Sequence, residues 1–279
     1  QHQAALREPM SLTGATSTIT LDDGTPAFRK ALAQAPAGFF AFEAAGLQAL
    51  RDFGARVPKV YEVTDEHLVI EVVEAKNPAR ISNPEYVFGQ ELARLHLGSQ
   101  QAAGPHQAFG SLEGIHHWFL GGAEIDLQPT TTLYESLVVN RILPLTQRAI
   151  DAGRLDSTAF DMARALTEQH FGPLEPPTLV HGDLWAGNRL VDGSGASWLI
   201  DPSCHWGHRE QDIAMMQLFG GFGPEVIESY HDTFPLAEGW QNRVSAFQLV
   251  PLLVHALLFG GGYGAATLRA FEHTLQGGG

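Results

Sequence analysis

The apolar pattern of this chain changes period once, and that change constrains the fold more than any single residue. Through Val73 the apolar residues fall mainly into short, β-branched-rich runs; from Glu85 onward they recur at helical spacing. Ser17–Leu21 and Pro26–Lys30 flank Asp22-Asp23-Gly24, which predicts a hairpin turning on Asp-Gly. Val57–Tyr61 and His67–Val73 read as two further strands. Between these pairs, Phe39, Phe42, Leu47, Leu50 and Phe53 give residues 39–53 the stripe of an amphipathic helix. The region around Lys76-Asn77-Pro78 reads as a linker.

Beyond it the spacing predicts helices over 85–97, 133–152 and 160–170, with a helical remainder to the end. Two short apolar segments interrupt this region, Leu179-Val180 and Ser197–Ile200, with a turn at Asp192-Gly193-Ser194-Gly195. The expectation is an α+β chain in two lobes. A small β-rich lobe covers 1–76, a larger mainly helical lobe covers 77–279, and a ligand is expected in the cleft between them.

Composition narrows the function. The 44% hydrophobic and 17% charged fractions belong to a globular protein and exclude a disordered or coiled-coil chain. A formal charge of −14 argues against broad contact with nucleic-acid phosphates or an anionic membrane. Any phosphate-bearing ligand must therefore meet local positive charge. Cys204 is the only cysteine, so an intrachain disulfide and a cysteine-based zinc cluster are both excluded; a cytoplasmic setting is expected. The first residues show no basic-then-apolar leader pattern. Val244–Leu268 lacks Asp, Glu, Lys and Arg, but Gln248, Pro251, His255 and Gly260-Gly261-Gly262 interrupt it, which predicts a buried helix and no membrane span.

The chemistry concentrates in His181-Gly182-Asp183-Leu184-Trp185-Ala186-Gly187-Asn188 and, after the next apolar segment, Ile200-Asp201-Pro202. A lone Gly-Asp pair is a turn. An Asp and an Asn on one loop, followed by a second Asp at the end of the next strand, is an arrangement that phosphoryl transfer requires. One carboxylate orients the attacking hydroxyl and accepts its proton, and the remaining oxygens ligate a divalent cation on the phosphates.

This segment resembles the catalytic loop of aminoglycoside phosphotransferase and choline kinase-like enzymes. Within that group the chain resembles the fructosamine (ketosamine) kinase family. The resemblance rests on Asp183-Leu184-Trp185-Ala186-Gly187-Asn188, on Gly207-His208-Arg209-Glu210-Gln211-Asp212-Ile213-Ala214-Met215, on Leu218–Phe222, and on Pro251–His255 continuing to Tyr263. It implies a protein-kinase-like fold, ATP as donor and a ketosamine hydroxyl, small or protein-bound, as acceptor, so that the glycated amine is repaired. It also implies Asp183 as general base and Asn188 and Asp201 as Mg²⁺ ligands.

Lys30, one of three lysines, is the candidate for contacting the nucleotide phosphates, with Glu43 on the following helix to hold it. Glu71 to Val73 resemble the hinge whose main chain holds adenine. Trp185 offers either an aromatic face for the acceptor sugar or packing for its own loop. His208 and Glu210, with Arg209, are candidates for acceptor binding. His181 is expected to brace the loop, Asp212 to fix it from the following helix, and His255 to be a core histidine. Met10–Ser17 carries one glycine and looks shorter than the family's phosphate-covering loop, and Ser111–Trp118 replaces the family's Asn and Gln near the cleft. Two alternatives stand beside this reading: a phosphotransferase for another small hydroxyl compound, aminoglycoside- or choline-like, and a non-catalytic kinase fold.

Overall fold

The computed structural model describes residues 14–75, 83–112, 114–120 and 122–277. Met10–Thr13 of the phosphate loop, Lys76-Asn77-Pro78 with the expected lobe boundary, and Glu113 lie outside the described residues.

A four-stranded antiparallel sheet in the order β1-β2-β4-β3 opens the chain, formed by β1 (Ala15–Thr20), β2 (Pro26–Ala31), β3 (Val60–Val63) and β4 (His67–Glu71). The hairpin forms where Asp-Gly predicts it. Gly24 takes φ 85°, its N–H donates to the Leu21 carbonyl at 2.9 Å, and the Asp23 carboxylate accepts from the Thr25 N–H. Helix α1 (Phe39–Asp52) packs on this sheet through Phe40, Leu47 and Leu50. Its Phe42 points the other way, into the helical core, where it stacks on Trp118 with ring centres 3.9 Å apart. One helix thus bridges two cores, because its apolar stripe is wide enough to serve both.

The helical part comprises α2 (Pro84–Ala102), α3 (Leu143–Asp151), α4 (Thr158–Arg164), α5 (Glu210–Leu218), α6 (Pro224–Thr233), α7 (Trp240–Phe259) and α8 (Gly262–Gly277). Leu179, Leu184, Leu199 and Ile213 join α2, α6 and the sheet side in a single apolar cluster, so the Asp183 loop is clamped between two of its own leucines and both parts of the molecule. Helix α7 is the one described helix long and apolar enough to cross a membrane, and 61% of that window is buried. It packs against α8 and α5. His255 lies within it, 2% exposed, with Nδ1 against the Pro251 carbonyl at 2.6 Å. The core-histidine reading fits this position.

Four local expectations are corrected. The helix expected over 133–152 is wound in the wider π register from Glu135 to Ile142 and becomes α-helical only in α3. The helix expected over 160–170 is two pieces, α4 and a single turn at Glu168–Phe171, because Thr167 and His170 cap that turn reciprocally. Residues 117–126 form a hairpin, β5 (His117–Leu120) with β6 (Ala123–Asp126), in a region read as part of the helical half. The remainder after Ile200 is not helical throughout either, since β10 (His205–Gly207) pairs antiparallel with β7 (Thr178–Val180). The Asp192–Gly195 turn joins β8 (Arg189–Val191) to β9 (Ser197–Leu199).

Candidate active site

β7 ends at Val180, and the next residues turn sharply. Gly182 sits at φ 82°, and a Cβ there would come within 2.1 Å of the Ser203 carbonyl oxygen, so only glycine fits. That turn is held from below. The fully buried Asp212 of α5 accepts the His181 N–H at 2.7 Å and the Gly182 N–H at 2.9 Å. Burial alone would raise the Asp212 pKa, but the hydrogen bond and charge of His96 and these N–H groups hold it below the usual carboxylate range. His181 sends Nε2 to the Ile200 carbonyl at 2.9 Å, so this nitrogen is the donor, and Nδ1 accepts the Asp183 N–H at 3.3 Å. Burial lowers the His181 pKa, which keeps the ring neutral. His181 and Asp212 are thus both hydrogen-bonded into this loop.

Asn188 closes the loop by donating Nδ2 to the Asp183 carbonyl at 2.8 Å and to its carboxylate at 3.2 Å. Its side-chain oxygen remains as a hard donor. Asp201 follows β9 in the left-handed region, φ 52°, a conformation Asp tolerates better than most residues. In this pose its carboxylate meets Lys30, which also donates to Glu43 at 2.5 Å. Lys30 and Glu43 are both buried, at 6% and 7% exposure, so this is a built ion pair and not a surface contact. Burial works against the Lys30 charge, but the two carboxylates outweigh it and hold the ammonium above its usual range. Asp183 is pushed up to about 7, chiefly by burial and then by the charge of Asp201. Two carboxylates facing each other across a space with one lysine leave the site short of positive charge.

That space is a cavity of about 80 Å³ lined by Lys30, Glu43, Asp183, Asp201 and an aromatic wall of Phe39, Trp118 and Phe119. A second cavity of about 230 Å³ opens on the other side of Lys30 and Asp201. Phe28, Ile70, Leu190 and Ile200 give it apolar faces, and Glu71, Val72 and Val73 form its edge. The Glu71 carboxylate accepts the Lys59 N–H at 3.0 Å.

Sequence candidates outside these cavities behave differently. Trp185 is half-buried and covers Gly187, where a Cβ would lie 2.1 Å from its ring. It lines neither cavity, and the packing alternative describes its contacts. The acceptor-binding reading of His208 and Glu210 is corrected. Glu210 is 3% exposed and accepts from Arg243 Nη2 at 2.6 Å and Nε at 2.9 Å; His208 is 1% exposed and stacks on Phe247 with ring centres 4.9 Å apart. Polar residues beside a motif looked available, but these fold inward: Glu210 is taken by Arg243, while His208 accepts the Glu210 N–H at Nδ1 and its buried Nε2 has no hydrogen-bond partner among the described residues.

The aromatic wall is what sequence reading missed. Its signal was present: His117-Trp118-Phe119-Leu120, then a Gly-Gly pair, then alternating Ala123-Glu124-Ile125-Asp126, is a hairpin pattern.

A small sheet joined to a helical half, with Lys30–Glu43 across from Asp183, Asn188 and Asp201, defines a protein-kinase-like phosphotransferase. The type I macrolide 2'-phosphotransferase shares this fold at a TM-score of 0.58 with 16% identity, over 94% of this chain and 89% of that one. Within that class the family can be stated. The profile of the fructosamine kinase family matches residues 7–277, and the chain belongs to that family. It is 36% identical to a probable ketoamine kinase of Thermus thermophilus over 85% of this chain and 83% of the relative. The crystal structure of a Thermobifida fusca protein assigned as a fructosamine-3-kinase superposes with a TM-score of 0.81 at 36% identity, covering 95% of this chain and 94% of that one.

Proposed function

We propose that this enzyme transfers the γ-phosphoryl group of ATP to a sugar hydroxyl of a ketosamine of the fructosamine or ribulosamine type, and thereby initiates release of the amine. The observation that carries the reading is the buried Lys30–Glu43 pair meeting Asp201 in the cavity that also receives Asp183. The family's relatives and their ketoamine kinase descriptions support the acceptor class.

Asp183 accepts the proton of the acceptor hydroxyl as that oxygen bonds to the γ-phosphorus and the bond to the ADP oxygen breaks. Its raised pKa suits this task, since a base is most effective when its pKa lies near working pH. Lys30 holds the nucleotide phosphates and Glu43 holds Lys30. The apolar cavity bordered by Glu71–Val73 takes the adenine, and Phe39, Trp118 and Phe119 take the acceptor. Asn188 and Asp201 present hard oxygen donors, too few for a protein-only cation cage but suited to Mg²⁺, which fills its shell with phosphates and water. Bound there, Mg²⁺ would neutralise phosphate charge during transfer. We place the reaction in a reducing, cytoplasmic setting, consistent with the buried thiol of Cys204.

The test is ADP release with fructosamine and ribulosamine acceptors, compared with choline and an aminoglycoside, for the native protein and Asp183→Asn. Ketosamine-dependent release that disappears in the variant is expected. Equal release by both proteins removes Asp183 from its role, and turnover confined to choline or the aminoglycoside removes the ketosamine.

A further inference from the structure

Three helices each bring one fully buried polar side chain together beneath the Asp183 loop: His96 from α2, Asp212 from α5 and Tyr230 from α6. His96 Nε2 lies 3.2 Å from the Asp212 carboxylate, and His96 Nδ1 lies 2.8 Å from the Tyr230 hydroxyl. The same carboxylate accepts the His181 and Gly182 N–H groups. A continuous chain of contacts therefore runs from Tyr230 through His96 and Asp212 to the main chain that carries Asp183. Helix α2 has a second hold on this region. Ser99 Oγ donates to the His96 carbonyl and accepts the Leu179 N–H of β7 at 3.1 Å, so the strand entering the loop and the ring beneath it hang from one helical turn.

The proton positions in the chain follow from its two ends. Asp212 is held ionised and can only accept, so His96 Nε2 carries a proton. Burial keeps the Tyr230 hydroxyl protonated against the neighbouring charge of Arg209, and the acceptor this hydroxyl meets is His96 Nδ1. Donation to Nδ1 fixes the Nε2–H tautomer, because the bond made at one ring nitrogen decides which one bears the proton. Without the hydroxyl the proton is free to sit on Nδ1, and Nε2 would then turn a lone pair on Asp212. The carboxylate would lose a donor and its orientation toward His181 and Gly182. Among them, His96, Asp212 and Tyr230 line neither cleft cavity, so any effect they have on the reaction passes through the loop.

Resting on the assignment of Asp183 as base made above, we infer that Tyr230 is a positioning residue for phosphoryl transfer. Its hydroxyl fixes the His96 tautomer that orients Asp212, and Asp212 sets where Asp183 meets the acceptor hydroxyl. Displacing a reacting group by about 1 Å can cost about a hundredfold in rate, which gives a residue remote from the substrate its leverage. ATP and the acceptor are bound by other groups, so the loss falls on kcat and spares both KM values.

The test removes the hydroxyl alone. Tyr230→Phe should lower kcat about tenfold, with the KM for ATP and for a ketosamine each within about twofold. Val226→Ala supplies the stability control. This buried residue of the same helix and apolar cluster lies outside the chain of contacts, and its variant should lose a comparable melting temperature yet keep the native kcat. At His96 the amide nitrogen of Gln stands where Nε2 stands, whereas the amide of Asn reaches only the Nδ1 position. His96→Gln should keep kcat within about threefold and His96→Asn should lower it about thirtyfold, although each gives up one of the two hydrogen bonds. Equal losses in these two variants, a kcat for Tyr230→Phe matching that of Val226→Ala, or KM values that rise as far as kcat falls would each overturn the inference. Independently of turnover, amide exchange in the peptide spanning 178–185 should be faster in Tyr230→Phe than in Val226→Ala, with exchange in α8 alike in both. Unchanged exchange over 178–185 also overturns it. If the native protein phosphorylates no ketosamine, the parent reading fails, and exchange alone decides whether Tyr230 holds the loop. Should the His96 variants fail to fold, Tyr230→Phe against Val226→Ala decides.

Discussion

Two clusters of buried charge are built from similar side chains and differ in one respect. In the helical half, Glu175 takes Arg209 through two contacts of 2.8 Å, and Glu210 takes Arg243 through contacts of 2.6 and 2.9 Å. Remaining Arg209 and Arg243 donors go to the carbonyls of residues 234, 235, 237 and 238. Each acid there has its own arginine. At the cleft, Lys30 is shared between Glu43 and Asp201, and Asp183 faces them with an amide as its side-chain partner. The first cluster is closed on itself, and the second leaves charge for a ligand to complete. Incomplete satisfaction, and not burial or charge as such, separates a site from a strut.

That contrast can be broken by mutation. Arg243→Met should leave Glu210 charged and unpaired in the interior, costing about 3–5 kcal/mol. Chemical denaturation would measure this, and the folded fraction should keep kcat within a few-fold. Lys30→Met combined with Glu43→Gln, so that no buried carboxylate is left unpaired, should do the opposite, lowering kcat/KM for ATP by about a hundredfold while shifting the melting temperature much less, because the remaining Asp201 is partly exposed to solvent. If both variants lose stability and activity together, the two clusters do not differ as described.

A pH profile sharpens the comparison. The Asp183 pKa is raised in the folded state, so the base is protonated below about 7, and kcat/KM should fall about tenfold per pH unit on that limb. The same sign applies to stability. The folded state binds the Asp183 proton more tightly than the unfolded state, so ionising this group opposes folding above its unfolded pKa, most fully above about 7. Asp183→Asn should therefore melt no lower than the native protein at pH 8, a result that also excludes misfolding as the cause of its inactivity. The smallest effect is expected at the aromatic wall: Phe119→Ala, at a half-buried position of that wall, should raise the acceptor KM a few-fold, with little change in the KM for ATP.

How much of this was legible in the sequence follows the same division. The Asp-Gly hairpin, the helix bearing Glu43 and the loop from His181 to Asn188 were legible because local chemistry dictates them: a turn glycine, an apolar stripe, a motif on one loop. The contact of Lys30 with Asp201, 171 residues apart in sequence, required the fold. His208 and Glu210 were misplaced because a motif reports adjacency along the chain and not the direction in which a side chain points.

The central claim is that the unsatisfied charge at the cleft serves phosphoryl transfer to a ketosamine. The direct measurement is ³¹P NMR of the native protein with ATP, Mg²⁺ and a fructosamine, with Asp183→Asn run in parallel. The account predicts one new sugar phosphomonoester for each ADP formed, dependent on both acceptor and Mg²⁺, and absent in the variant. ADP without a phosphomonoester, or the same phosphomonoester from Asp183→Asn, would contradict it.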